Sequence, residues 1–302
     1  MTTHNSMAQS RVSRCAAVVV IMVVIFVAVC AGSSVHALTI TRVFVNSTAP
    51  PTITGGGSLD DVFNQAADMW EAAITDPHAL MLNFKWQDLT NPNIAEHTLG
   101  FQIGGRETLG TISFDNNGTN WFLDPTPGLH QEWSSYQESA DDFGGGELIT
   151  GRNHLGYTGP KIAGQTPHDL LTVALHEIGH ALGMSSANAS YQSETWDDNE
   201  ANIESPLPFA GSAIPTNNTA VPTVGFSTSN AHLDGSTLPD SLLGPTIQFG
   251  RRSLIDDASI LANAQISSFS QVSVVPEPSS AALALMSTVG WLLIGRRRRR
   301  RG

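Results

Sequence analysis

The chain has 302 residues, a formal net charge of −12 and two cysteines, Cys15 and Cys30. A chain of this length can bury a full core, and its acidic excess argues against nucleic acid or an anionic membrane surface as a partner. Because both cysteines lie in the first 30 residues, a mature chain without that segment has neither disulfides nor a cysteine nucleophile.

Residues 1–37 have the pattern of a secretory signal peptide. Two arginines precede a continuous apolar run at 15–30, and residues 35–37 (Val-His-Ala) match a cleavage site. We therefore expect export and a mature chain that begins near Leu38. An uncleaved N-terminal anchor is the alternative interpretation.

The next part of the chain predicts a strand, a helix and two further strands. Alternation of apolar residues predicts strands at 38–45, 80–89 and 108–114. Ser58 begins a helix with a pattern like that of a capping box. Its apolar stripe consists of Val62, Phe63, Ala66, Met69, Trp70 and Ile74. The Trp and Met in this stripe are expected to be core residues.

Two acidic loops follow along the chain. Residues 141–147 (Asp-Asp-Phe-Gly-Gly-Gly-Glu) and residues 197–200 (Asp-Asp-Asn-Glu) carry carboxylates that could bind Ca²⁺. Ordinary solvated loops are the alternative for both.

Residues 176–180 read His-Glu-Ile-Gly-His, the H-E-x-x-H pattern of zinc peptidases. On a helix, His176 and His180 lie one turn apart on the same face, where both can bind one Zn²⁺ ion. Glu177 points about 100° away, beside the metal, where it can accept a proton from water. The pattern predicts two metal ligands and a general base.

The flanking residues favour a buried helix around this pattern. Thr166 is expected to be the N-cap, with Pro167 at the first helical position and Asp169 three residues after the cap. The following residues are apolar on nearly all sides, so two histidines and a glutamate among them need a partner, which a metal supplies. Gly183 suits a left-handed C-cap. Core histidines satisfied by protein groups are the alternative.

A catalytic zinc site usually has three protein ligands and an open position. In the compact metzincin pattern a third histidine follows three residues after the glycine, and Ser186 occupies that position here. A serine is a poor zinc ligand, so the third ligand must come from elsewhere. His232 is the only histidine downstream of the helix, and Glu194 is the second candidate, against the role of an ordinary acidic loop residue. His168 could approach the site, but a surface histidine near the helix start is the simpler interpretation.

Residues 230–257 resemble the end of a group of secreted bacterial metallopeptidases, in which a downstream histidine precedes a turn and an arginine-rich stretch. The separation of His232 from the helix is also similar to the leishmanolysin-like branch of the metzincins. The resemblance implies that His232 is the third zinc ligand. It also implies that residues 242–245 occupy the Met-turn, with Leu243 in place of methionine, a substitution that the packing should tolerate.

The same resemblance implies an α+β fold: a metzincin-like zinc peptidase domain at 38–266, with a twisted mixed sheet and an active-site helix. Within it, 110–114 is expected to be the edge strand beside the substrate cleft. Residues 205–229, rich in Pro, Asn, Thr and Ser, predict an irregular insertion that returns the chain to the third ligand. Residues 256–264 predict a short final helix, and 267–275 a linker.

Residues 276–301 resemble a PEP-CTERM sorting signal. A Pro-Glu-Pro box begins it, and the apolar stretch 279–295 is near the lower limit of about 17–25 residues for a membrane span. Six arginines at 296–301 would hold its end in the cytoplasm. The resemblance implies transient membrane anchoring, processing by an exosortase-like enzyme, and release to the cell surface or extracellular matrix.

Without these terminal signals, 7 Lys and Arg and 26 Asp and Glu remain, so the net charge is −19. We expect a secreted zinc-dependent metalloendopeptidase that acts on a protein or peptide substrate and has no nucleic-acid partner. A catalytically inactive matrix or surface scaffold that retains the fold is one alternative. A zinc hydrolase of glycan or amide bonds is another, because the water-activating chemistry is shared.

Overall fold

The computed structural model of the protein describes residues 38–89, 93–217 and 231–274. The predicted signal peptide at 1–37 and the predicted sorting signal at 276–301 lie outside these residues. Within the described ranges, no helix is long and apolar enough to cross a membrane. The same ranges form a mixture of helices and sheets, which confirms the expected α+β class.

The described part of the chain contains four helices and thirteen strands. The helices are α1 (Leu59–Ala73), α2 (Leu170–Leu182), α3 (Ala189–Thr195) and α4 (Asp257–Ile266). The strands are β1 (Leu38–Phe44), β2 (Ile53–Thr54), β3 (His78–Gln87), β4 (Ala95–Ile103), β5 (Arg106–Asp115), β6 (Trp121–Phe122), β7 (Trp133–Asp142), β8 (Glu147–Tyr157), β9 (His168–Asp169), β10 (Glu200–Asn202), β11 (Ala213–Asn217), β12 (His232–Leu233) and β13 (Arg252–Leu254).

Four strands form the main sheet, in the order β1-β3-β5-β4. β1, β3 and β5 are parallel neighbours, whereas β4 runs antiparallel to β5. α1 lies in the connection from β1 to β3, as a parallel pair requires. The three strands expected in this part of the sequence are confirmed, with ends that differ by one or two residues.

The expectation that 110–114 is the edge of this sheet is wrong. β5 contains these residues and pairs on both sides, so β4 is the edge strand. Gly104 and Gly105, with φ of 58° and 81°, form the tight turn that joins β4 to β5. This hairpin folds β4 directly against β5 and places it outermost.

Helix α1 begins where Ser58 accepts a hydrogen bond from the backbone N–H of Asp61 at 3.0 Å, as the capping pattern predicted. Phe63 of this helix stacks on Phe84 of β3, with 4.1 Å between the ring centroids. Trp70 Nε1 donates to the backbone oxygen of Leu175 in α2 at 2.9 Å. The apolar stripe of α1 therefore joins the main sheet to the helix that carries the H-E-x-x-H pattern.

The N-cap of α2 is Asp169, not Thr166 as expected. The residues before the helix are taken into a strand, because His168 and Asp169 pair with Trp121 and Phe122. The Asp169 carboxylate then accepts from the N–H of Thr172 at 3.1 Å. Helix α2 ends as expected at Gly183, whose φ of 155° favours glycine.

The second half of the described chain is built around the β7–β8 hairpin, to which β13 adds. The acidic loop 141–147 forms its turn, where Asp142 accepts from the N–H of Gly144 at 2.8 Å. The insertion expected at 205–229 is partly regular, because β11 lies within it, and residues 218–229 are outside the described ranges. The expected final helix is confirmed as α4, with Asp256 as its N-cap.

The first residues of the expected linker pack against the domain. Asp76 accepts hydrogen bonds from the backbone N–H groups of Ser270 and Gln271 at 2.8 and 2.5 Å. Val272 forms an isolated bridge with Ile74 at the end of α1. The chain therefore remains attached to the domain beyond the end of α4.

Candidate metal centre

Three histidines from two distant parts of the sequence meet in the structure. His176 and His180 lie one turn apart on α2, and His232 comes from β12. One nitrogen of each ring lies within 4.8 Å of the corresponding nitrogens of the other two. The structure thus brings together the three residues that the sequence analysis proposed as ligands, in an arrangement that could hold a metal ion.

The orientation of two of the rings is set by backbone carbonyls. His176 Nδ1 lies 2.8 Å from the oxygen of Leu242, and His180 Nδ1 bonds the oxygen of Met184. A carbonyl oxygen can only accept, so each Nδ1 carries the hydrogen and each Nε2 carries a lone pair. The two Nε2 atoms are 3.0 Å apart. Two facing lone pairs repel each other unless a cation lies between them, so this pair fits a metal ion.

Burial keeps all three rings in the form that binds metals. Desolvation lowers the pKa of His176 to about 3, that of His180 to about 4 and that of His232 to about 2. Each imidazole is therefore neutral near pH 7, which is the state that can donate an electron pair to a metal. A set of three imidazoles suits zinc and several other divalent transition metals.

His232 is positioned by backbone pairing. β12 pairs with β11, with His232 opposite Asn217, and the next residue, Leu233, donates its N–H to the oxygen of Leu243 at 2.9 Å. Nδ1 of His232 has no hydrogen-bond partner among the described residues. The third ring is therefore placed mainly by its strand.

Leu243 packs against helix α2 at Gly179. Its side chain is fully buried, and a Cβ added at Gly179 would lie 2.5 Å from its Cδ2 atom. Gly179 stands between His176 and His180 in the sequence, so the absence of a side chain there lets Leu243 reach the helix.

Glu177 lies beside the histidines as a buried carboxyl group. Burial raises its pKa to about 8; the nearby charge of Glu96 acts in the same direction, and a hydrogen bond from the backbone N–H of His97 opposes both. The residue is 5% exposed and lines the same cleft as the three rings. A carboxyl group with this proton affinity can both accept and release a proton near neutral pH.

The site opens into a cleft of about 760 Å³. The start of β4 and the two residues before it line this cleft, and so do His168 and Phe249. Ser185 and Ser186, which follow α2, also line the cleft. The histidines and Glu177 therefore line an open cavity beside the edge strand β4.

Several other residues singled out in the sequence are not part of the three-histidine group. His168 is buried, not a surface residue, and its ring lies 4.0 Å from that of Phe249 in the cleft wall. Glu194 accepts a hydrogen bond from the N–H of Asn202 at 3.0 Å and is not part of the three-histidine group. Neither acidic loop brings three ligand atoms together within the residues that the structure describes.

Helix α4 supports both carbonyls that orient His176 and His180, a role that was not predicted from the sequence. Asp256, its N-cap, accepts from the N–H of Leu242 at 2.7 Å, and Asn263 accepts from the N–H of Met184 at 3.0 Å. Both side chains are fully buried. The feature of the sequence that could have indicated this role is the seven-residue spacing of Asp256 and Asn263, which places two polar residues on one face of a buried helix.

A scan against protein-family models, a search of curated proteins and a search of solved structures each gave no match to this chain. The chemistry of the site is therefore read from its own residues: three neutral imidazoles, a buried carboxyl group and an open cleft.

Proposed function

We propose that the chain is a secreted zinc-dependent metalloendopeptidase with a metzincin-like domain. The observation that carries the proposal is the convergence of His176, His180 and His232 beside Glu177. A purely structural metal site has no need of a buried carboxyl group next to its ligands, whereas hydrolysis needs a base at that place.

His176, His180 and His232 would hold the zinc through ring nitrogens, two of them oriented by backbone carbonyls. The bound ion supplies Lewis-acid activation of water and of a carbonyl group. Three protein ligands leave a fourth position open, as catalytic sites require.

Glu177 moves the proton in this proposal. Its carboxylate accepts a proton from the attacking water and passes it to the nitrogen of the leaving amine. Its burial raises the pKa of the carboxyl group, and the N–H of His97 favours the charged form. An extended peptide in the cleft would lie along β4, with its scissile bond near the histidines.

Export and surface release belong to the same proposal. They rest on the patterns at 1–37 and 276–301, with an exosortase-like enzyme as the processing partner. Mass spectrometry of the protein recovered outside the cell tests them: new termini near Leu38 and near Pro276 are expected. Intact terminal segments in the recovered protein contradict this part of the proposal.

The first experiment is elemental analysis of the purified protein and of His232→Ala. We expect one zinc per chain in the wild type and much less in the variant, with the circular dichroism spectrum unchanged. Unchanged zinc in His232→Ala contradicts the assignment of the third ligand. Absence of zinc in the wild type after supplementation favours the scaffold alternative.

The second experiment measures cleavage of a mixed peptide library by the wild type and by Glu177→Gln. The amide cannot accept the proton, so we expect retained zinc and a loss of turnover of about 10²–10⁴-fold. Normal turnover by Glu177→Gln contradicts the proposed mechanism. Cleavage of glycans or non-peptide amides, with peptides intact, assigns the same chemistry to another substrate class.

A further inference from the structure

The backbone of the edge strand β4 reaches Glu177. Residues Ala95 and His97 lie opposite Phe114 and Ile112 of β5, and the flanking N–H of Asp115 donates to Ile94 at 2.8 Å. In an antiparallel ladder, hydrogen-bonded and non-hydrogen-bonded pairs alternate. Ile94 and Asp115 form a hydrogen-bonded pair, so the pairs Ala95–Phe114 and His97–Ile112 are non-hydrogen-bonded. The N–H of His97 therefore points away from β5, to the free side of β4, on the cleft that Glu177 also lines, and it lowers the pKa of the Glu177 carboxyl group.

The side chain of His97 points into the protein and is tied to the neighbouring strand. Its Nε2 lies 2.9 Å from Oε1 of Glu107 in β5, and the two side chains are 2% and 0% exposed. Nε2 of His78 bonds the backbone oxygen of Glu107 at 2.6 Å. A polar pair so deeply buried is costly unless its groups satisfy each other.

Gly110 provides the space in which this pair forms. A Cβ at this position would overlap Oε1 of Glu107 and lie 3.2 Å from Nε2 of His97. The φ of Gly110 is not in the positive region, so the close approach of the two side chains is the reason that glycine is required here. The pair therefore depends on a third position of the same hairpin.

We propose that the buried His97–Glu107 pair positions Glu177. The pair fixes the β4 backbone at His97, and the N–H of that residue then holds the carboxylate beside the three histidines. An edge strand has a partner on one side only, so a second attachment at this residue restricts its movement. The structural part stands without any catalytic assumption, whereas the consequence for turnover rests on the proposed peptidase function.

Hydrogen exchange of the His97 amide, measured by NMR on the zinc-free protein, tests the structural part. An N–H on the free side of an edge strand exchanges rapidly unless it has a partner. We expect protection in the wild type and its loss in Glu177→Ala. In Glu107→Met we expect exchange to be faster by about tenfold or more, while Glu107→Gln, which keeps an acceptor for His97, stays close to the wild type.

Two controls separate a local effect from general destabilisation. The amide of Trp70 in the core of α1 reports global opening, so its exchange is compared in every variant. Glu71→Met is the matched control, because it also removes a carboxylate that accepts two hydrogen bonds. Glu71 accepts from the N–H of Ile40 at 2.6 Å and from Arg42 at 2.8 Å, and it lies far from the His97–Glu107 pair in the sequence. It should leave the ratio of His97 to Trp70 exchange rates unchanged. An equal ratio in Glu107→Met overturns the proposal.

Kinetics test the consequence for catalysis. Glu107→Met should lower kcat about 10- to 100-fold, as loss of a supporting residue does, with KM and zinc content unchanged. Glu107→Gln should restore most of the rate. An equal loss in both variants, or none in Glu107→Met, contradicts the positioning role. If the wild type cleaves no peptide, the proposed function fails while the exchange experiment still decides the structural part.

Gly110→Ala provides an independent perturbation, because it leaves both members of the pair in the chain. The added methyl group would displace Glu107 from His97. We expect the same faster exchange of the His97 amide as in Glu107→Met. Wild-type exchange in a folded Gly110→Ala variant, with the pair shown by NMR to be broken, overturns the proposal.

Discussion

Asn263 supports His180 through Met184, so its replacement tests this support separately from the histidine itself. Its buried side chain accepts from the N–H of Met184 at 3.0 Å and donates to the oxygen of Ser259 at 3.2 Å. Met184 in turn presents its carbonyl to Nδ1 of His180. Asn263→Leu keeps a similar volume but leaves a buried N–H without an acceptor, which costs about 1–3 kcal/mol of unfolding free energy.

If the three histidines bind zinc as proposed, a second effect is expected in the zinc-bound protein. Loss of an outer support of a metal-binding histidine lowers metal affinity about 10- to 100-fold. At saturating zinc this removes about 1.4–2.7 kcal/mol of the stabilisation that the bound ion provides. The total destabilisation by Asn263→Leu is therefore about 1–3 kcal/mol without zinc and about 2–6 kcal/mol with it.

Urea unfolding with and without zinc, together with competition against a chelator, measures both quantities. Asn153→Leu is a matched control, because Asn153 is also buried and accepts from Arg251 Nε and Ser253 Oγ at 2.7 Å each, on a strand that contributes no ligand. It should destabilise the zinc-free protein similarly and leave zinc affinity unchanged. A zinc affinity of Asn263→Leu within about twofold of the wild type refutes the reasoning.

Three further outcomes are expected. Gly179→Ala places a methyl group 2.5 Å from Leu243 and should destabilise the protein by about 1–3 kcal/mol in urea unfolding. Leu243→Met should lower the unfolding free energy by less than about 1.5 kcal/mol. Similar values for both variants contradict the close packing of Leu243 on Gly179. Arg252→Met leaves Asp124 and Asp169 buried without their cation and should lower the unfolding free energy by about 3–5 kcal/mol. A decrease below about 1 kcal/mol contradicts the buried ion pairs. The pKa values of the three histidines are lowered in the folded state, so the unfolded chain binds more protons below its ordinary histidine pKa of about 6.5. Their contribution to the stability of the zinc-free protein is therefore complete above about pH 6.5 and is lost as the pH falls toward about 4. Thermal melting of the wild type and of His232→Ala at several pH values checks this. The melting temperature should depend less steeply on pH in the variant.

The helical part of the site was predictable because its signal is local. His176, Glu177 and His180 carry a spacing that has meaning only on a helix, and the apolar residues around them predict that the helix is buried. The N-cap was not predictable in the same way. Thr166 and Pro167 are a good helix start by themselves, but pairing of β9 with β6 takes the next two residues into a strand. Tertiary pairing overrode the local preference.

The edge of the main sheet was missed although its sequence signal is local. The residues of β4 alternate between apolar types at 95, 99, 101 and 103 and polar types at 96, 98 and 102, which is typical of a strand with one exposed face. The Gly104-Gly105 turn was the informative feature, because a tight two-residue turn between extended segments places one directly beside the other. From that turn, β4 and its residue His97 could have been placed at the rim of the cleft.

His232 can lie far from His176 and His180 in the sequence because those two histidines are supported independently of it. Asp256 and Asn263 are seven residues apart, two turns of helix, so one face of α4 supports the carbonyls that orient both His176 and His180. His232 needs only the register of β12 against β11 and one hydrogen bond from Leu233 to Leu243. The length of chain before β12 can therefore vary without disturbing the helical pair. In this arrangement a compact ligand motif is unnecessary, and a serine at position 186 is compatible with a complete three-histidine site.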